Sequence, residues 1–359
     1  MLQKDFDVHV VGPGALDELW PPVRNDRSIE YRPYSIKSAK EFFLHRKAIS
    51  KQLITGNVII ASKPLLTSFG LGLTARRILG VPLLLDNDDW ELGFIGESLY
   101  WEARIYRTRW VTDPFSPLYT RILDKRTGSA DALTVSNQFL QKRYGGLLIP
   151  HARDETIFQE SIATYKSSVP VVLFLGTPRP NKGLDVLLQA WSSINHTKAL
   201  LRIIGVDASS ALANTIPKNI RNQIEFVSGI PYDELPNALS QAAVVVIPQR
   251  NDRGSLGQLP AKLIDAMAAG RAIVSTTVGD IPVWLADGAG ILVPPNDPKA
   301  LADAIEDLLN HPEKREQVGQ KARERFLEKA SFDALRPALV ELINQLVQVN
   351  RSNISLGQT

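Results

Sequence analysis

Apolar residues fall in short unbroken runs along this chain, and the runs alternate with stretches of helical period. "FDVHVVG" (6–12), "NVIIAS" (57–62), "PLLLD" (82–86), "DALTVS" (131–136) and "LLIP" (147–150) predict a first series of strands, buried on both faces. "VVLFLG" (171–176), "LLRIIG" (200–205), "IEFVSG" (224–229), "VVVIP" (244–248), "AIVST" (272–276) and "GILVP" (290–294) predict a second series. A strand with one wet face alternates apolar and polar residues. Continuous apolar runs joined by helices therefore indicate parallel sheets covered on both sides. Residues 150–170 are polar, lack a strong period and separate the two series. The expectation is an α/β protein with a domain over 1–155, a second over 156–335, and a helix with a frayed tail over 336–359. Both domains should be doubly wound and face each other across a cleft, with ligands beyond the carboxyl ends of the strands.

Composition narrows the reading by exclusion. A length of 359 residues suits about two domains, and 44% hydrophobic with 22% charged residues is ordinary for a well-cored globular protein. The absence of cysteine excludes disulfides and thiolate metal sites, and five scattered histidines argue against a histidine metal site. A net charge of +3 is too small to point to nucleic acid. The longest apolar runs, such as 242–248, fall short of the ~20 residues that span a bilayer, and the first residues carry no signal-peptide core. A cytoplasmic protein is expected.

The stretch "LGQLPAKLIDAMAAGRAIVSTTVGD" (256–280) carries the strongest chemical signal. Pro260 suits the first turn of a helix and Gly270 its stop. Before it, 252–258 reads as a flexible loop with free backbone N–H groups, a ready anion site at Gly254, Ser255, Leu256, Gly257 and Gln258. Asp265 lies about 7.5 Å along the helix at ~1.5 Å per residue, the offset between a diphosphate and a ribose diol. Lys262, one turn earlier, is counted with the donor-binding residues; the plainer alternative is an aspartate paired with it. In "VVLFLGTPRPNKGLDVLLQAW" (171–191) a strand ends at Gly176, and a loop brings Thr177, Arg179 and Lys182 to the start of a helix. Two cations there would clamp a diphosphate and stabilise charge on a departing phosphate.

Together with "IPHARD" and "IEFVSGIPYDELPNALSQA", these stretches resemble glycosyltransferase family 4 over 170–330, and more loosely over 57–155. The resemblance implies the GT-B architecture and retaining transfer of a sugar from a nucleotide-diphosphate sugar, without a metal or other cofactor. It makes Lys182 the diphosphate lysine, with Arg179 beside it as a catalytic cation. Asp265 stands at the ribose-binding glutamate, and Ser228, Gly229 and Ile230 lie where the base is cradled. Departures are Thr177 for the usual arginine, Gly257 for the first glutamate, and Ser62, beside Lys63, for the usual histidine. The family's first strand and glycine-rich loop have no counterpart before "FDVHVVG". That predicts a start upstream of Met1, or else a first sheet with a gap or altered register.

Two further motifs are weaker. "VVGPGAL" (10–16) begins like a dinucleotide fingerprint, but Asp17 takes the third glycine position, so no nicotinamide site is expected. "LLLDNDDWE" (83–91) places Asp86, Asp88 and Asp89 at a strand end. A manganese ion is one reading, and helix capping or acceptor hydroxyls is the favoured one. The stretch 97–122 interleaves aromatics and arginines, which suits peripheral contact with an acidic membrane or a core helix with a solvated basic side. The expected partners are a nucleotide sugar and a glycan, lipid-linked or small-molecule acceptor. Two alternatives stay open, a sugar-nucleotide-binding protein without turnover and a sugar-nucleotide epimerase.

Overall fold

The structure, a computed structural model, describes residues 1–14, 29–53, 56–95, 111–159, 169–194, 198–207, 216 and 220–356. The chain divides into two units, Met1–Pro150 with Arg336–Thr359, and His151–Leu335.

In the first unit β1 (His9–Pro13) and β2 (Glu30–Tyr34) pair in parallel as a two-stranded sheet. β3 (Ile59–Ser62), β4 (Leu83–Asn87), β5 (Ala132–Val135) and β6 (Leu147–Leu148) form a parallel sheet in that order. The helices are α1 (Ala39–Ser50), α2 (Leu71–Leu79), α3 (Glu91–Phe94), α4 (Pro117–Asp124) and α5 (Gln138–Tyr144). Ser38 starts α1 by accepting from the Glu41 N–H, while the Glu41 carboxylate accepts from Lys37 N, so two N-terminal donors are satisfied. Phe42, Phe69, Leu83 and Leu85 centre the core on one side of the sheet. Leu84 points the other way and packs against Leu339 and Ile343.

Burial on both faces holds for β4 but not for β3 or β1. β3 alternates, burying Ile59 and Ala61 and exposing Ile60 and Ser62, and β1 leaves Val10 exposed. Each of these two strands has a partner on one side only among the described residues, and the apolar run alone does not report that. β2 was not predicted. "EYRPY" contains charges and a proline and has no apolar run.

The second unit is a six-stranded sheet, β7 (Val171–Leu175), β8 (Leu200–Ile204), β9 (Ile224–Val227), β10 (Val244–Ile247), β11 (Ala272–Thr276) and β12 (Ile291–Val293). The spatial order is β12-β11-β10-β7-β8-β9, with every pairing parallel. β7, β10 and β11 are buried along their whole length, as their unbroken apolar runs predict. The helices are α6 (Leu184–Trp191), α7 (Leu235–Ser240), α8 (Arg253–Leu256), α9 (Ala261–Ala268), α10 (Ile281–Trp284), α11 (Pro298–Asn310), α12 (Pro312–Lys329) and α13 (Phe332–Leu356). From Arg336 onward α13 belongs to the first unit, where Arg336 makes a two-pronged ion pair with Asp5 at 2.6 and 2.7 Å. Gly270 closes α9 at φ +63°, the conformation a side chain resists. The strand order reverses between β7 and β10. That is the switch point beyond which such sheets bind ligands.

Candidate active site

At this switch point two lysines converge on one backbone position. A Cβ placed on Gly176, just past β7, would lie 3.4 Å from Nζ of Lys182 and 3.6 Å from Nζ of Lys262. Lys182 reaches there from the turn before α6, and Lys262 from the first turn of α9. Lys262 donates to the carbonyl of Leu175 at 2.8 Å and lies 4.5 Å from the Phe174 ring centroid. Burial, and then the neighbouring charge of Lys182, hold its ammonium well below the usual lysine range. Two cations held together against their own repulsion, at the carboxyl end of a central strand, are suited to a dianion.

The turn carrying Lys182 is fixed by close packing. Gly183 has φ +65°, and a Cβ there would be 1.9 Å from the carbonyl oxygen of Pro248. The backbone of β10's extension thus runs against the start of α6, and Arg250 N donates to Asn181 O at 2.9 Å. Gln249, next in that extension, is 3% exposed, and its Nε2 has no hydrogen-bond partner among the described residues. Ser255 is fully buried, and its Oγ is likewise unpartnered. Buried donors without partners cost about 1–3 kcal/mol each, a cost that a hydrogen-bonding ligand or a water would relieve.

Several expected roles change. Arg179 is exposed, and Lys262 rather than Arg179 shares the Gly176 position with Lys182. Thr177 is exposed beside it. Residues 253–256 are not a flexible loop but the short helix α8. Asp252 caps it by accepting from Ser255 N at 2.8 Å, Leu256 N donates to Asp252 O, and Gln258 N donates to Ser255 O. The N–H groups of Ser255, Leu256, Gly257 and Gln258 are thus used within the turn rather than held open for an anion, and Gly254 lies inside α8. Asp265 does not pair with Lys262. Its Oδ1 accepts from Arg153 Nε at 2.5 Å, and the Arg153 guanidinium also lies 6.0 Å from the Tyr232 ring centroid. Burial raises the Asp265 carboxyl above its ordinary range against the pull of Arg153. Ser228 and Gly229 are exposed and Ile230 half-buried, just past the end of β9.

In the first unit, Lys63 answers the question of the clustered carboxylates. It sits just past β3 at φ +65°, and its ammonium lies 2.9 Å from Asp89, 2.8 Å from Glu91 and 3.5 Å from Asp88. Burial alone would lower its pKa; the three carboxylates outweigh that and raise it. Asp86 is turned away, accepting from Thr134 Oγ1 at 2.6 Å. Neither Asp88 nor Asp89 caps α3, which starts at Trp90 without a side-chain cap, so the capping role is not realised. Among the described residues no group of three or more acidic or histidine side chains is arranged to hold a metal ion. Asn87 is buried with both side-chain atoms unpartnered among the described residues. Ser62 is exposed next to Lys63. Most of the aromatic and basic stretch, 97–110, lies outside the described residues.

Sequence reasoning gave Arg153 no role, since 112 residues separate it from Asp265 and no local signal links them. Gln249 was also missed, although its place directly after β10 at the switch point marks it.

Residues 156–325 match the family model described as Glycosyl transferases group 1. The D-inositol 3-phosphate glycosyltransferase of Corynebacterium diphtheriae is 30% identical over 165 residues, 43% of this chain and 38% of that protein. The alpha-D-kanosaminyltransferase of Streptomyces kanamyceticus is 24% identical over 189 residues, 49% of this chain and 46% of the relative. The chain thus spans less than half the length of these curated relatives. Among solved structures, the sucrose-phosphate synthase of Thermosynechococcus elongatus aligns with a TM-score of 0.67 at 20% identity, covering 90% of this chain and 82% of that one. Anabaena HepE, solved in complex with UDP, aligns with a TM-score of 0.66 at 14% identity, covering 88% and 86%. The chain has the α/β fold of these GT-B proteins, and its residues 156–325 match the family Glycosyl transferases group 1.

Proposed function

We propose that this protein is a retaining glycosyltransferase of the family 4 kind. It moves a sugar from a nucleotide-diphosphate sugar to an acceptor hydroxyl without a metal ion. The observation that carries the reading is the convergence of Lys182 and Lys262 at Gly176, on the switch point of a doubly wound sheet. The relatives' names, which specify sugar transfer, and the UDP in Anabaena HepE support it.

In this reading the two ammonium groups hold the diphosphate. Ser228, Gly229 and Ile230 border the base, the Arg153–Asp265 pair takes the ribose end, and Gln249 and Ser255 meet sugar hydroxyls. As the bond from the anomeric carbon to the diphosphate oxygen breaks, its electron pair goes to that oxygen, where Lys182 and Lys262 stabilise the charge. The acceptor oxygen bonds to the same face of the anomeric carbon, and its proton leaves to the departing diphosphate. A second cation from α9 replaces the arginine that Thr177 lacks. The acceptor is assigned to Ser62, Lys63, Asp88 and Asp89 of the first unit, with Asp86 holding β5 through Thr134. The protein works in the cytoplasm, where nucleotide sugars are made.

The test is incubation with UDP-, GDP- and ADP-sugars in EDTA and a panel of hydroxylated acceptors, with the product's anomeric configuration read by NMR. Transfer with the donor's configuration kept supports the reading, and inversion overturns the retaining step. Donor binding without transfer to any acceptor would favour a non-catalytic binder, for which Gly257 and the engaged Asp265 speak. Donor conversion without an acceptor would identify an epimerase.

A further inference from the structure

The outward side of α1 is unlike that of an ordinary solvated helix. Lys40, Phe43, Leu44 and Lys47, with Lys51 just past the end of α1, follow at offsets of three, four, seven and eleven, one stripe of a 3.6-residue period. Phe43 is 44% exposed and Leu44 68%, and the three lysines around them are exposed. The Arg46 guanidinium lies 5.2 Å from the Phe43 ring centroid.

The face continues onto α4. The Phe43 and Tyr119 ring centroids are 5.9 Å apart, and the Tyr119 hydroxyl donates to the Val111 carbonyl at 2.7 Å. Val111, Phe115 and Ile122 are 58%, 54% and 45% exposed, with Lys125 exposed beyond them. Single exposed apolar residues are ordinary. Several large ones rimmed by cations, with Phe43 reaching α4 through its contact with Tyr119, mark an interaction surface. Among the described residues, Glu41 and Asp113 are turned to backbone donors, Glu41 to Lys37 N and Asp113 to Phe115 N at 2.9 Å.

We propose that this face of the first unit docks on an anionic lipid surface. Phe43, Leu44, Phe115 and Ile122 enter the headgroup region, and Lys40, Lys47, Lys51 and Lys125 meet acidic headgroups. Charge sign and residue type both select a lipid surface. Lysines let their apolar stems follow the buried side chains while the ammonium groups stay at headgroup level. The contact is peripheral, for among the described residues no helix is long and apolar enough to cross a membrane. The proposal does not rest on sugar transfer.

The test is co-sedimentation of the full chain with vesicles of phosphatidylcholine alone and with about a third phosphatidylglycerol. Binding to the acidic vesicles only, released by about 0.5 M salt, is expected. A Lys40→Glu/Lys47→Glu/Lys51→Glu variant should bind at least about tenfold more weakly, as should Leu44→Asp. Far-UV circular dichroism shows that each is folded, as expected for exposed positions. Wild-type protein left in the supernatant, or folded variants binding as the wild type does, would overturn the proposal. Self-association of the wild type that Leu44→Asp abolishes, without vesicle binding, would also overturn it and assign the face to a second copy.

Discussion

Replacing Lys262 by methionine should keep or raise stability and lower nucleotide affinity at the same time. The Nζ atoms of Lys182 and Lys262 lie within 3.6 Å of one point and so are no more than about 7 Å apart. At that separation, with an effective permittivity of about 20, two unit charges repel by about 2 kcal/mol, less where solvent reaches half-buried Lys182. Methionine keeps the apolar stem's packing near Phe174 and removes both that repulsion and the burial cost that depresses the Lys262 pKa. It also loses the bond to the Leu175 carbonyl, worth about 1–2 kcal/mol. The balance is a stability equal to or about 1 kcal/mol above the wild type. For a bound diphosphate the balance is reversed. One charge-assisted contact disappears, about 1.5–3 kcal/mol or roughly ten- to a hundredfold in Kd. Thermal melts of the free protein and calorimetric titrations with UDP and GDP read both quantities. Unchanged affinity in the variant for the nucleotide that binds the wild type would refute the assignment of Lys262 to the diphosphate.

Other consequences follow from the same geometry. Because Lys262 binds a proton less readily in the fold than in the unfolded chain, stability should rise with pH between the folded value and the usual lysine range. A diphosphate raises that pKa, so above the free-state value binding should take up protons and weaken as pH climbs; calorimetry in two buffers of different ionisation enthalpy that finds no uptake at any pH up to the usual lysine range would contradict this. Arg153→Met strands the buried Asp265 carboxylate and should cost about 3–5 kcal/mol in urea denaturation, most of it recovered by adding Asp265→Asn; a loss that the second change does not reduce would disprove the pairing as the cause. Gly183→Ala places a Cβ against the Pro248 carbonyl at positive φ and should cost at least about 2 kcal/mol. A wild-type denaturation midpoint in that variant would mean the turn before α6 relaxes freely.

The sheet of the second unit was legible because its strands are buried on both faces, and burial leaves the same unbroken apolar mark on each. β2 carries no such mark. Among the described residues it pairs only with β1, and Glu30, Tyr31, Arg32, Pro33 and Tyr34 alternate no face clearly. Lys182 could be read from its place between β7 and a helix. Lys262 could be counted with the donor-binding residues from its place in the first turn of a helix, but the carbonyl it meets could not be read. Spacing of three on α9 left a pair with Asp265 as the alternative, whereas the first turn of α9 lies over the end of β7 and Lys262 meets the Leu175 carbonyl. The α8 turn had a local signal, Asp252 three residues before Ser255, which is the spacing of a capping aspartate. Arg153–Asp265 and the Lys63 cluster depend on residues brought together by the sheets, and no local pattern announces such pairs.

The most direct measurement is a calorimetric titration of the whole chain with UDP-glucose, GDP-mannose and ADP-glucose in EDTA, repeated with Lys182→Ala. One of these donors should bind without metal, with affinity at least about tenfold weaker in the variant. No binding by any of them, binding only when manganese replaces EDTA, or equal affinity in Lys182→Ala would contradict a donor held by Lys182 and Lys262 at the end of β7.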